Sequence, residues 1–84
     1  MNIIQIRQEK RKHEIQIIVE TIKKAFSAGL AVDKEKLINE ISSQLGTSRR
    51  TSLEYLEIAL VSVNCTEEVV DGRKVLIQKN ENSN

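Results

Sequence analysis

The stretch LINEISSQLGTSRRTSLEYL, which runs from Leu37 to Leu56, decides the fold of this chain. Its apolar residues recur at three- and four-residue spacing on both sides of Gly46, and this pattern predicts two helices joined by a tight turn. Gly46 ends the first of them, because glycine enters the left-handed conformation without a steric cost. Ser48 is a natural N-cap for the second, since its hydroxyl can accept a hydrogen bond from a free backbone N–H.

The helix before the turn begins at Asp33, a favoured N-cap residue, and Val32 and Leu37 occupy the two positions of a hydrophobic staple. Its buried face is expected to contain Leu37, Ile38, Ile41 and Leu45. The helix after the turn is predicted over 48–63. Its expected core face consists of Leu53, Leu56, Leu60 and Val63, with Ser52 and Ala59 as small flanking residues.

An earlier helix is predicted from about Glu9 to Ala28, with Gly29 as its left-handed end. Its apolar stripe consists of Ile15, Ile18, Val19, Ile22, Ala25 and Phe26. Residues 1–8 do not extend this stripe, and they form either a helical extension or a loose arm. Residues 80–84 are a polar tail, so residues 9–79 form the single predicted domain.

After Asn64 the pattern changes to two strands, Cys65 to Val69 and Arg73 to Lys79, and Asp-Gly between them is a strong hairpin signal. A two-residue loop would place Val69 on the opposite face from Val75 and Ile77. A three-residue loop instead aligns the apolar residues of both strands on one face and sets Glu68 opposite Lys74 as an ion pair. The three-residue loop is therefore the preferred prediction.

Composition excludes several functional classes. The formal charge is only +1, from 13 basic and 12 acidic side chains, so the position of the charges must carry any argument for nucleic acid. One cysteine, Cys65, and one histidine, His13, supply neither a disulfide nor a catalytic or metal-binding set. No phosphate-binding glycine loop occurs. We expect no enzymatic activity, no cofactor, no metal and no small-molecule ligand.

No apolar run approaches the roughly 20 residues of a membrane span, and no signal peptide is visible. The expectation is a cytoplasmic, nucleoid-associated protein without a membrane partner.

The order helix, helix, turn, helix and hairpin resembles the winged helix-turn-helix superfamily. Gly46 stands where that pattern has its turn glycine, the run from Gly46 to Thr51 looks like the opening of a recognition helix, and EEVVDGRKVLIQ looks like a wing. Two residues depart from the pattern: Ser42 stands where Ala or Gly is favoured, and Ser52 where Ala, Val or Ile is usual. The resemblance implies a mostly helical α+β fold, with three helices followed by a two-stranded wing.

It also implies sequence-specific binding of double-stranded DNA by a transcriptional regulator, with helix 48–63 in the major groove and wing 65–79 on the backbone or an adjacent groove. Arg49 and Arg50 suit guanine or phosphate, and Glu54 suits a cytosine amine or orients Arg50 at four-residue spacing. The remaining expected DNA contacts are Ser48, Thr51, Arg73, Lys74, Lys34 and Lys36.

Aliphatic residues without a place in this core predict a partner surface. Ile17, Ile58 and Val61 lie off the core faces of their helices, and the N-terminal segment adds further isoleucines. We therefore expect a homodimer built on Ile3, Ile4, Ile6 and Ile17. The alternative is a winged-helix module that binds protein, as a subunit of a larger assembly.

Overall fold

A computed structural model describes the backbone of residues 3–79 and the side chains of residues 9–79. The elements follow in the order α1 (Ile3–Ser27), β1 (Val32–Asp33), α2 (Lys34–Leu45), α3 (Arg49–Val61), β2 (Cys65–Val70) and β3 (Arg73–Gln78). Three helices followed by a β-hairpin confirm the predicted, mostly helical α+β fold. No helix within residues 3–79 combines the length and the apolar character that crossing a membrane requires.

The first helix is the longest of the three and forms one side of the core. Its backbone is helical from Ile3, six residues before the predicted start at Glu9. Gly29, with φ +77°, follows the helix, and its N–H donates to the Phe26 carbonyl at 2.9 Å. The predicted stripe is confirmed by four buried residues, Ile18, Val19, Ile22 and Phe26.

The second helix begins and ends where the sequence predicts. The Asp33 carboxylate accepts a hydrogen bond from the Lys36 N–H at 3.2 Å, and Gly46 closes the helix in the left-handed conformation with φ +67°. Leu37, Ile38 and Ile41 are buried, and Leu45 packs beside them. This helix therefore presents one apolar face to α3 and leaves its N-terminal turn toward the solvent.

The third helix is rotated relative to the prediction. Its buried residues are Ser52, Leu56 and Ala59, whereas Leu53 and Leu60 are only partly buried at the edges of that face. The helix also ends at Val61 rather than at residue 63, although Val63 remains in the core. Small residues at the centre of the face allow close approach of the neighbouring helices, and the larger leucines then fill the margins.

Three hydroxyl groups meet at the turn between α2 and α3. Ser52 Oγ lies 2.6 Å from Ser42 Oγ and 2.7 Å from Thr47 Oγ1, and it donates to the Ser48 carbonyl at 2.9 Å. A hydroxyl has one proton and two acceptor sites, so Ser42 and Thr47 must donate to Ser52. The two departures from the helix-turn-helix pattern are therefore hydrogen-bonded to each other, and Ser52 is fully buried and fully satisfied.

The hairpin has a two-residue loop, so the prediction of a three-residue loop was wrong. Val70 pairs with Arg73, and Asp71 (φ 52°) and Gly72 (φ 76°) both have positive φ, as a type I′ turn requires. In this register Glu68 lies opposite Val75, and the expected Glu68–Lys74 ion pair does not form.

Leu76 explains the register, because it is the one residue of β3 that is buried against the helices, at 1 % exposure. Val75 and Ile77 lie on the other face of the strand and are half-buried. Counting apolar residues per face favoured the wrong face, since a single well-placed leucine anchors the hairpin. Cys65 shares the Leu76 face, and burial, with a smaller contribution from the Glu67 charge, raises the pKa of its thiol.

A short third strand completes the sheet, in the order β1-β3-β2. Val32 pairs with Leu76, and Asp33 pairs with Val75. An N-cap residue adopts an extended backbone, and Asp33 (φ −71°, ψ 113°) uses that conformation both to cap α2 and to pair with β3. This pairing places the start of α2 beside the turn of the hairpin.

Candidate nucleic-acid interface

An open groove of about 660 Å³ lies between the start of α2, the first half of α3 and the turn of the hairpin. Five of its lining side chains are basic and come from three separate parts of the sequence. They are Lys34, Lys36, Arg49, Arg73 and Lys74. Three acidic side chains, Asp33, Glu35 and Glu57, also line it, so the groove has an excess of two positive charges (five minus three). The whole chain has an excess of only one.

Arg49 bridges the two helices of the motif. One of its terminal guanidinium nitrogens, Nη1, forms an ion pair with Glu35 Oε1, and both side chains are more than half exposed. The hydrogen bond from Arg49 lowers the pKa of Glu35, and the same contact raises the pKa of Arg49. In this conformation, Arg49 is directed toward the groove and α2 rather than away from the protein.

Arg73 connects the hairpin to the cap of α2. Its Nη1 donates to Asp33 Oδ2 at 3.3 Å, while Asp33 Oδ1 accepts the Lys36 N–H. The backbone hydrogen bond from Lys36 and, to a smaller degree, the contact with Arg73 lower the pKa of Asp33. One carboxylate thus caps a helix and holds the turn end of the hairpin.

Lys34 is directed toward the hairpin rather than toward solvent. Its Nζ lies 2.6 Å from Glu67 Oε1, and its side chain is only 16 % exposed. This hydrogen bond lowers the pKa of Glu67. Glu67 lies on the Leu76 face of the hairpin, and Lys34 supplies the partner that makes this position acceptable for a carboxylate.

Arg50 is exposed over 92 % of its side chain, and it lies outside the groove on the solvent side of α3. Its Nε is 3.7 Å from Glu54 Oε1, so Glu54 forms the i,i+4 pair with it. Ser48 caps the helix by accepting the Thr51 N–H at 3.1 Å and donates its own proton to Thr51 Oγ1. Within the described residues, the Thr51 hydroxyl proton has no acceptor and is available to an outside group.

Lys36 and Lys74 form no ion pair with any described residue, although both line the groove. Lys74 lies close enough to Glu35 and Glu67 to contribute to the lowered pKa of each.

Asn39 also lines the groove and was missed by the sequence prediction. Its position three residues after Lys36 on the same helix is the signal that would have identified it.

The predicted partner residues are separate from the groove. Ile17 is 40 % exposed, as is Ile58, and Val61 is 87 % exposed, which confirms that all three lie off the core. Ile17 borders a narrow cleft between α1 and α2, whereas Val61 lies at the far end of α3. The side chains of Ile3, Ile4 and Ile6 lie outside the described residues.

Comparisons of this chain with protein-family models, curated proteins and solved structures give no match. Among residues 9–79, no group of three or more His, Cys, Asp or Glu side chains is placed to hold a metal ion.

Proposed function

We propose that this protein binds double-stranded DNA in a sequence-specific manner as a transcriptional regulator of the winged-helix type, without catalytic activity of its own. The observation that carries the proposal is the groove, which gathers five cations from three distant parts of the chain around the starts of two helices. Cations and helix N-termini both favour the phosphates of a nucleic acid. The cytoplasm, in association with the nucleoid, is the matching location.

In the proposed complex, the solvent side of α3 enters the major groove at its N-terminal turn. Arg50 has the reach and the exposure to pair with guanine O6 and N7, and the Thr51 hydroxyl donates to an adjacent phosphate or base. The groove on the protein receives the phosphate backbone of the DNA beside α3, and Lys36 and Lys74 make sequence-independent contacts there.

The proposal predicts steeply salt-dependent binding. Each cation that neutralises a phosphate releases a counterion, so log K should fall linearly with log salt, with a slope of roughly −0.9 per phosphate contact. Fluorescence anisotropy of a labelled random duplex between about 50 and 200 mM salt measures that slope. Binding that is absent, or that does not respond to salt, would contradict the proposal.

Arg50→Ala is the matching variant, with Lys23→Ala as its control. Loss of a bidentate base contact costs about 1–3 kcal/mol on a selected site and relaxes specificity at one position. Lys23 carries the same charge but lies beside residues 61–64, beyond the opposite end of α3. Equal losses in the two variants would show that Arg50 contributes only its charge.

A homodimer is part of the same proposal, with each protomer reading one half of an inverted repeat about one DNA turn apart. Support comes from Ile17, an exposed aliphatic residue on a first helix that begins as early as Ile3. Light scattering of the wild type and of Ile17→Glu tests the dimer: the wild type should be dimeric and the variant shifted toward monomer. A monomeric wild type, both free and on DNA, would refute the arrangement.

A second candidate function is a module that binds another protein. The exposed Ile58 and Val61, at the end of α3 away from Arg50, favour it. Val61→Glu distinguishes the two functions, since it should leave duplex binding intact and abolish capture of a protein partner.

A further inference from the structure

Three of the five cations in the groove are paired with carboxylates, and the partners of the two arginines lie at the start of α2. Glu35 pairs with Arg49, and Asp33 pairs with Arg73. Each pair joins the start of α2 to a different element, α3 in one case and β3 in the other. The groove thus contains anions placed where a bound phosphate would interact with the same guanidinium groups.

Carboxylate and phosphate compete for a guanidinium through the same chemistry. Both present oxygen atoms that accept the forked N–H donors of arginine. The side chains of Arg49 and Arg73 are 58 % and 65 % exposed, and Glu35 is 59 % exposed, whereas Asp33 is 20 % exposed. Solvent reaches both guanidinium groups and weakens the two pairs. A phosphate backbone can therefore displace the carboxylates at a small but measurable cost in affinity.

The pair between Lys34 and Glu67 differs in this respect. Lys34 is largely buried under the hairpin, so its ammonium group serves to hold the wing and cannot exchange partners without moving that element. In the two arginine pairs the cation is the exposed partner, so a phosphate can reach the guanidinium group directly.

We propose that Asp33 and Glu35 are built-in competitors of DNA: in the free protein they occupy the guanidinium groups of Arg73 and Arg49, and phosphates displace them on binding. This inference rests on the proposed DNA-binding function. After displacement the freed carboxylates remain close to the phosphates and take up cations, which offsets part of the counterion release. The wild type should consequently show a shallower salt dependence than its count of cations implies.

The test uses isosteric replacements that remove one negative charge each. Glu35→Gln, and Asp33→Asn, which retains a favoured N-cap residue, should each bind a random duplex about two- to fivefold more tightly. Each should also steepen the slope of log K against log salt by up to about one unit. Thermal unfolding followed by circular dichroism verifies that both variants remain folded.

Glu57→Gln is the matched control. Glu57 lines the same groove, yet it forms no ion pair with any described residue. If Glu35→Gln and Asp33→Asn change the affinity and the slope no more than Glu57→Gln does, the competition is refuted while the DNA-binding function stands. If neither the wild type nor any variant binds a duplex, both the function and this inference are overturned.

Discussion

Two polar clusters lie near the start of α3, and they differ in how they are built. At the turn, Ser42, Thr47 and Ser52 form an uncharged, hydrogen-bonded cluster in which Ser52 is fully buried and the other two are partly buried. In the groove, Asp33 and Glu35 form ion pairs with Arg73 and Arg49, and both guanidinium groups are exposed. Buried hydroxyl groups must keep their partners, because leaving one unpaired costs the full desolvation penalty. Exposed ions can exchange partners, because water and salt already screen them.

The two clusters therefore have separate structural roles. The hydroxyl cluster joins α2 to the first turn of α3 by hydrogen bonds between side chains. The ion pairs join α3 and the hairpin to the start of α2 by contacts that an outside anion can replace. The contacts that must persist thus lie at the turn between the helices, and the contacts that can exchange lie in the groove, where we propose that DNA binds.

The largest expected effect concerns the anchor of the hairpin. Leu76→Ala removes the one buried side chain of β3 and should lower the free energy of unfolding by about 2–5 kcal/mol. Val69→Ala is the control, since Val69 is 69 % exposed and its loss should change stability by no more than about 0.5 kcal/mol. Urea unfolding measures both. A large loss of stability with Val69→Ala and a small one with Leu76→Ala would contradict this register of the hairpin.

The next effect concerns the hydroxyl cluster. Ser52→Ala removes the acceptor shared by Ser42 and Thr47 and should cost about 1–3 kcal/mol of stability. In a double-mutant cycle, adding Ser42→Ala should cost less in the Ser52→Ala background than in the wild type, because the interaction is already lost. Strictly additive losses would show that the two hydroxyls do not act together.

The third effect is smaller and depends on pH. Hydrogen bonds lower the pKa of Asp33, Glu35 and Glu67 below their ordinary values of 3.8, 4.5 and 4.5. A carboxyl whose pKa is lower in the folded state stabilises the fold above its unfolded pKa, and this contribution is lost as the pH falls through the folded value.

The urea midpoint should therefore stay level down to about pH 5 and fall below about pH 4.5 as these three carboxylates are protonated. The triple variant Asp33→Asn, Glu35→Gln, Glu67→Gln should show a shallower fall over the same range. An equally steep fall in that variant would assign acid sensitivity to other groups.

The sequence predicted local signals better than it predicted faces. Gly46 and the two caps, Asp33 and Ser48, act through their own backbone and nearest neighbours, and all three were identified correctly. The predicted register of the hairpin was wrong, because the register depends on where Leu76 contacts the helices and no local sequence pattern encodes that position. Ion pairs such as Arg73–Asp33 join residues 40 positions apart, so only the assembled fold brings them together.

The candidate site was predicted in part for the same reason. Its basic residues were identified from their places at the starts of helices and at the hairpin turn. Their acidic partners were not, because Glu35 and Asp33 look like ordinary members of a capped first turn. Asn39 was missed because its one signal, a position three residues after Lys36 on the same helix, becomes informative only once Lys36 is known to line the groove.

The most direct test of the central claim is an NMR titration of the ¹⁵N-labelled protein with a short DNA duplex at low salt. We expect the largest amide shifts at Ser48 to Thr51, at the start of α2 and at the hairpin turn, with little change at residues 58–64. Shifts confined to the surface around Ile58 and Val61, or no shifts at all, would contradict it.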